Sequence, residues 1–450
     1  MVSLAEPRPP RHAGWLTVGR WVLVLGALLL CTQLRSPLLL KVRQSGSVLA
    51  LLAAGVVIAQ AVRARRRAGS RRERSTAALF LLCGVAMGSM VVGLHGRFFE
   101  QKRRVLRAPV AVRAELARHI VAGFRSWEEA RELVGQALVG GIYVGLHNVR
   151  GLSAATLRLR LDELRALRAE RGLSPLLVAV DQEGGPVSRL SPPLPLQPAL
   201  SAVIADADSP AERERRVRAF AGEQAAALRQ LGVNINFSPV VDLRLHPERS
   251  IFDRYSFIGA RAIASEPALC AEVARSYAQA LIEKGIVPTA KHFPGLGRVR
   301  ADTHFFTATL DTEVAELAAA DWLPFRATVA VEPTLLMLGH VRVAALDGEN
   351  LASGSARLLA EVVRGEWGHN GVLITDDLCM GPVFYGAGGL PAFAHRALAA
   401  GVDLLLISYD GTQVYPALAA LLAARNRGEL RDDMLQASAA RLSRLADFLK

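Results

Sequence analysis

The segment AKHFPGLGRVRADTH, residues 290–304, sets Lys291 and His292 at the end of an apolar run and Asp302 and His304 on a loop rich in Gly and Pro. A lysine at a strand end could form a Schiff base with a neighbouring base to help it, or it could donate to substrate hydroxyls. An Asp-x-His pair could orient an imidazole. The carboxylate fixes the tautomer and supports the protonated ring, which makes His304 a candidate general acid/base near neutral pH. His292, Asp302, His304 and Asp376 could in principle also assemble around a metal, but no histidine pair at i, i+4 supports that. No Cys-x-x-Cys or Cys/His cluster has zinc spacing either, so a structural metal is not expected; no cofactor is expected for the chemistry these residues could do.

Two further segments carry acids directly after apolar runs. In GVLITDDLCM, Asp376 and Asp377 follow a strand-like stretch, and because adjacent strand side chains point to opposite faces, at most one of them faces a shared site. In VAVDQEGGPVSRL, Asp181 and Glu183 precede a Gly-Gly turn and Arg189. Acids and an arginine in one mouth could bind several sugar hydroxyls. A turn with a solvent-facing Glu183 fits that segment equally well.

These groups need a scaffold that gathers strand ends. Continuous apolar runs at Gly141–Leu146, Leu176–Val180, Val233–Phe237, Ile286–Thr289, Thr334–Leu338, Val372–Thr375 and Asp403–Ile407 suit parallel strands covered on both faces. Amphipathic stretches such as Ala211–Leu231, Pro267–Lys284 and Ser355–Glu366 alternate with them. Six of the runs end in polar clusters: HN, DQEGG, SPVVD, KHFPG, GH and DD. A (β/α)8 barrel brings its C-terminal strand ends to one mouth, whereas a doubly wound sheet uses mainly its switch point, so the α/β class expected is the barrel. The eighth strand is expected near Val105–Val112, or to be irregular.

The N-terminal quarter differs in kind. Residues 1–107 hold 18 Lys+Arg against three acids, leaving 36 bases against 38 acids for the rest, so the net charge of +13 belongs to this region. A basic nucleic-acid face on the main domain therefore loses its support. Apolar stretches at Trp15–Leu34, Ser47–Val62 and Thr76–Leu94 have about the length needed to cross a bilayer. The run RARRRAGSRRER, residues 63–74, should stay cytoplasmic. Three spans then place residues 105–450 outside the cell membrane, after an all-α membrane region over 1–104; if the middle run does not cross, the sides exchange.

Taken together and in this order, VAVDQEGGPVSRL, GVNINFSPVVDL, AKHFPGLGRVRADTH, GHV…ASGS and GVLITDDLCM resemble glycoside hydrolase family 3, in particular its single-domain bacterial β-N-acetylglucosaminidases. The resemblance covers roughly residues 135–410 and implies a (β/α)8 barrel that removes terminal β-linked N-acetylglucosamine with retention, from peptidoglycan fragments or chitin-like oligosaccharides. It implies Asp376 as nucleophile, with Asp377 supporting the wall, His304 as acid/base and Asp302 as its partner. Asp181, Arg189, Arg254, Lys291 and His292 would bind the sugar. The chain departs from the pattern at Pro186, Leu296 and Cys379, and at Tyr255, which separates Arg254 from Ser256-Phe257. A β-glucosidase, a phosphorylase of the family and a non-catalytic membrane sensor of muropeptides stand as alternatives.

Overall fold

The computed structural model describes residues 12–246 and 255–450, with side chains from Val18 onward. The chain divides into two compact units, Met1–Arg103 and Arg104–Lys450. Each is built on a different principle.

In the first unit, helices His12–Thr32, Arg43–Arg67 and Arg71–Arg107 follow one another. Their apolar side chains largely face outward: Leu49, Leu52, Val56, Leu82 and Val92 are exposed, while Cys31, Leu34, Ala54, Met87 and Val91 form a small core. Water would not leave such a surface bare. Of the three spans expected, two helices, Pro37–Arg67 and Arg71–Arg107, are long and apolar enough to cross a membrane. The described apolar part of the first helix, Val18–Thr32, is shorter than a bilayer requires.

In the second unit, eight parallel strands pair into a ring among the described residues: β1 (Ile120–Ala122), β2 (Gly141–Tyr143), β3 (Leu177–Val180), β4 (Ile235–Asn236), β5 (Thr289–Phe293), β6 (Leu335–Leu338), β7 (Leu373–Thr375) and β8 (Leu405–Ile407). Ladders join β8, β1, β2, β3 and β4, and also β5, β6 and β7. The bridges Ile235↔Val287 and Ile374↔Leu404 close the two arcs into a barrel. Its interior is filled by Val121, Ala179, Ile235, Phe237, Met337, Ile374 and Leu406, all buried. Leu445, from the C-terminal helix Asp432–Phe448, joins this core.

Two sequence expectations shift. The segment Val105–Val112 is not a strand: it runs through the end of helix Arg71–Arg107 and into helix Val110–Ala117. The missing strand is β1, whose three apolar residues are too short a signal to stand out among helices. The fifth strand runs Thr289–Phe293 rather than Ile286–Thr289, so Lys291 and His292 lie within it and not beyond its end.

Helix starts follow local chemistry. Ser126, Ser153 and Ser209 each cap a helix by accepting the N–H three residues on. These caps set where the long helices after β1, β2 and β3 begin.

Candidate active site

Six strand ends deliver polar side chains to the C-terminal mouth. Asp181 follows β3, where its carboxylate accepts from Lys291 Nζ at 2.5 Å and from Tyr143 OH at 2.7 Å. Burial alone would raise its pKa, but the nearby Lys291 ammonium and Arg189 guanidinium outweigh burial and hold it low. Glu183 stands two residues on, in a short hairpin formed by Gln182–Gly184 and Val187–Ser188. Gly184 permits that turn: its φ is 91°, and a Cβ there would meet the Pro198 carbonyl oxygen at 2.2 Å.

Glu183 is not the solvent-facing acid that the Gly-Gly turn allowed. It is buried, 2.6 Å from Lys291 Nζ, and bound in bidentate fashion by Arg261 at 2.7 and 2.9 Å. Burial opposes its charge, and Arg261 followed by Lys291 more than compensates. Lys291, only 1% exposed, is thus clamped between two carboxylates. An amine held this way is a fixed donor, which removes the support for a Schiff-base role.

A register break in β5 explains how neighbouring residues serve one site. Three steps from Ala290 to Phe293 match two steps from Leu336 to Leu338 on β6, so one residue is extra. Such a bulge re-aims side chains that would otherwise alternate. Lys291 turns to Asp181, while His292 Nδ1–H donates to Asp242 at 2.8 Å. Asp242, fully buried after β4, also accepts the backbone N–H of His292 and of Leu296. The side chain of Leu296 packs in the wall while its backbone secures Asp242. On the other side of the imidazole, His292 Nε2 lies 3.4 Å from Arg261.

The two acids after β7 part company. Asp377 accepts from the N–H groups of Cys379, Ser408 and Tyr409 and from the Ser408 hydroxyl at 2.7 Å, so its capacity is filled. Asp376 accepts one bond, from the Asp377 N–H at 2.8 Å. Burial raises the Asp376 pKa, yet the neighbouring imidazoles of His292, His340 and His304 lower it on balance. The carboxylate is therefore charged and incompletely bonded, as a nucleophile must be.

Asp302 is buried and His304 is 41% exposed, with Nδ1 at 2.8 Å from Asp302 Oδ1. Asp302 accepts, so Nδ1 carries the proton and Nε2 is left to face the mouth. Burial disfavours the Asp302 charge, but its bonds from His304 and from the Tyr255 N–H keep its pKa below the usual value. The loop is anchored by Arg298, which reaches Asp321 at 2.9 Å and Glu316 at 2.8 Å. Gly381, just past the acids of β7, donates its N–H to the His304 carbonyl at 2.7 Å. A Cβ at Gly381 would sit 2.4 Å from the Phe305 carbonyl oxygen, so only glycine lets the two loops touch this closely.

The Glycosyl hydrolase family 3 N terminal domain model matches residues 106–445. The chain belongs to glycosyl hydrolase family 3. Family 3 relatives include the β-hexosaminidase of Nitrosomonas eutropha, 33% identical over 291 residues that cover 64% of this chain and 79% of that protein. The β-hexosaminidase LpqI of Mycobacterium tuberculosis is 32% identical over 352 residues, 75% of this chain and 83% of its own. Among solved structures, a family 3 β-N-acetylglucosaminidase from Paenibacillus superposes with a TM-score of 0.69 at 29% identity; the match covers 75% of this chain and 62% of that one. M. tuberculosis LpqI gives 0.65 at 30% identity, over 77% and 96%. As a family 3 member, the chain is a glycoside hydrolase.

Of the residues singled out in the sequence, Asp181, Lys291, His292, Asp302, His304 and Asp376 come together at the mouth, with Arg189 beside Tyr143 and Asp181. Arg254 lies outside the described residues. Sequence reasoning passed over Tyr143, Asp242, Arg261 and His340. Asp242 closes SPVVD and His340 closes GH, both noted as polar strand ends, so the signal existed. Arg261 had none: it sits in a four-residue helix, Ile258–Arg261, and only the fold reveals its pairing with Glu183. His340 is buried; its Nε2–H donates to the Asp377 carbonyl at 3.1 Å and its Nδ1 accepts from Ser353 at 2.7 Å. Burial lowers its pKa. Among the described residues, no group of three or more His, Cys, Asp or Glu side chains is arranged to hold a metal ion.

Proposed function

We propose that this mouth removes terminal β-linked N-acetylglucosamine from oligosaccharides with retention of configuration. Asp376 attacks the anomeric carbon as the bond to the leaving oxygen breaks, and His304 Nε2–H gives that oxygen its proton. Water then attacks the anomeric carbon of the glycosyl–Asp376 ester, giving a proton to Nε2 as the bond to the carboxylate oxygen breaks and the carboxylate is freed. Asp302 supports the imidazolium that gives its proton in the first step and is restored in the second. The sugar hydroxyls fall to Asp181, Arg189, Lys291 and His292, with Arg254 added from its motif.

The observation that carries this is the contrast at the end of β7, where one carboxylate is saturated and its neighbour is left charged and open beneath three imidazoles. Retaining glycosidases usually pair two carboxylates, which repel. A histidine acid attracts Asp376 instead, and its loop can close over the sugar. The sugar class is taken from the relatives named β-hexosaminidase and β-N-acetylglucosaminidase. Release of nitrophenol from an aryl β-N-acetylglucosaminide by the detergent-solubilised protein, lost in Asp376→Ala, is the expected result. Full activity in that variant would remove Asp376 as nucleophile. Glycosyl phosphate formed on adding phosphate would make the enzyme a phosphorylase.

For location, we propose a membrane region over residues 1–104 with a catalytic domain over 105–450 outside the cytoplasm. The seven arginines between 63 and 74 exceed the five bases from Arg97 to Arg107, so the connection between the two long helices stays inside. With that connection fixed, the last helix carries the barrel out whether or not the first helix also crosses. Peptidoglycan fragments or chitin-like oligosaccharides are then the accessible substrates. A reporter fused after Lys450 that is active only in the cytoplasm should stay silent; a bright one would reverse the orientation.

A further inference from the structure

We propose that Tyr255, Phe305 and Phe306 form the wall of the leaving-group subsite and hold a saccharide leaving group by the apolar face of its pyranose ring. This rests on His304 acting as the acid/base. The three rings are 53%, 38% and 59% exposed. A short distance along the chain, Phe293, Trp322 and Phe325 are fully buried against one another. Contiguous aromatic surface left open to water marks a binding surface.

Geometry says which part of the substrate the rings meet. The Tyr255 ring is 6.2 Å from that of His304 and 5.5 Å from that of Phe305, which in turn is 6.4 Å from Phe306. A general acid must reach the glycosidic oxygen. The retained sugar lies on the side of that oxygen toward Asp376 and the charged groups of β3 and β5, so rings that flank the acid from the open side meet the group that departs. Charged side chains suit the hydroxyls of the retained sugar. A flat aromatic wall suits a ring whose substituents are equatorial and whose face presents C–H groups.

The wall and the dyad share one anchor. The Asp302 carboxylate holds His304 through Oδ1 and the Tyr255 N–H through Oδ2 at 2.9 Å. The Asp302 carbonyl accepts the N–H groups of Phe305 at 3.1 Å and Phe306 at 3.0 Å. A leaving group seated on the rings therefore steadies the turn that aims Nε2. Binding energy gained there is spent in the transition state and appears in kcat as well as KM.

The test compares N,N′-diacetylchitobiose with β-N-acetylglucosaminyl azide, whose leaving group is too small to reach the rings, using solubilised full-length protein. For Phe306→Ala and for Tyr255→Ala, kcat/KM on the disaccharide should fall about two- to tenfold further than on the azide, the range expected for one lost aromatic contact. Tyr255→Phe should remove that extra loss on the disaccharide, because the ring and not the hydroxyl forms the wall. Equal losses on both substrates, or none on either, would overturn the subsite. Cleavage of neither substrate by the unaltered protein would instead overturn the underlying activity, and the wall with it.

Discussion

Two aspartates, one fully buried and one half-buried, stand at opposite ends of the barrel and illustrate two uses of charge. Asp403, just before β8, is 0% exposed and accepts four bonds: Ser438 Oγ at 2.6 Å and Arg441 Nε at 2.9 Å on one oxygen, Arg364 at 3.0 Å and the Leu373 N–H at 2.9 Å on the other. Its backbone carbonyl also takes the ring N–H of His119 at 2.8 Å. Asp376, just after β7, accepts a single bond and is otherwise supported by charge at a distance. Saturation ties the C-terminal helix to the barrel floor. Incompletion leaves a carboxylate able to react.

The same substitution should therefore have opposite consequences at the two ends. Asp376→Asn should lower kcat by about four or more orders of magnitude. It should leave the melting temperature unchanged or higher, because a poorly bonded, half-buried charge has been removed. Steady-state kinetics and thermal unfolding of the two variants side by side would check this; a large loss of stability would blur the distinction. His304→Ala should cost about two to four orders of magnitude on substrates with poor leaving groups, and less on nitrophenyl glycosides that depart without a proton.

Asp403→Asn should destabilise by about 3–5 kcal/mol, since two arginines lose their partner, while the folded fraction keeps normal kcat. Denaturant unfolding together with active-site titration separates the two quantities.

Near the same floor, burial lowers the pKa of His119 and of His369 to about 4. The unfolded chain protonates these rings at ordinary values, so it binds more protons than the native state between about pH 6.5 and 4. Stability is present above that window and is lost as pH falls through it, by about 3 kcal/mol for each histidine. His369→Gln should flatten the fall, seen as a weaker dependence of melting temperature on pH from 7 to 4. At the mouth, Gly381→Ala should reduce kcat about tenfold with little change in melting temperature, because the added carbon pushes the His304 loop away from β7. A shifted acidic or basic limb in its pH–rate profile would locate the effect on the dyad.

The comparison also explains what the sequence could convey. Mouth residues follow long apolar runs, so Asp181, Lys291, His292 and Asp376 announce themselves by position alone, and the recurrence of polar strand ends points to a barrel. Asp403 opens its run instead of closing it, and nothing in the one-dimensional pattern marks its partners Arg364, Ser438 and Arg441 on remote helices. Arg261 and the extra residue in β5 were hidden for the same reason: each is defined by what lies across the barrel. The strand Ile120–Ala122 was too brief for its period to be seen.

The proposed covalent intermediate forms on Asp376. Incubation with a 5-fluoro N-acetylglucosaminyl donor, which slows breakdown of a glycosyl-enzyme, followed by proteolysis and mass spectrometry tests it directly. One added glycosyl mass is expected on the peptide containing Asp376, and none in Asp376→Asn. A label on any other side chain, or unlabelled turnover with inverted configuration, would contradict it.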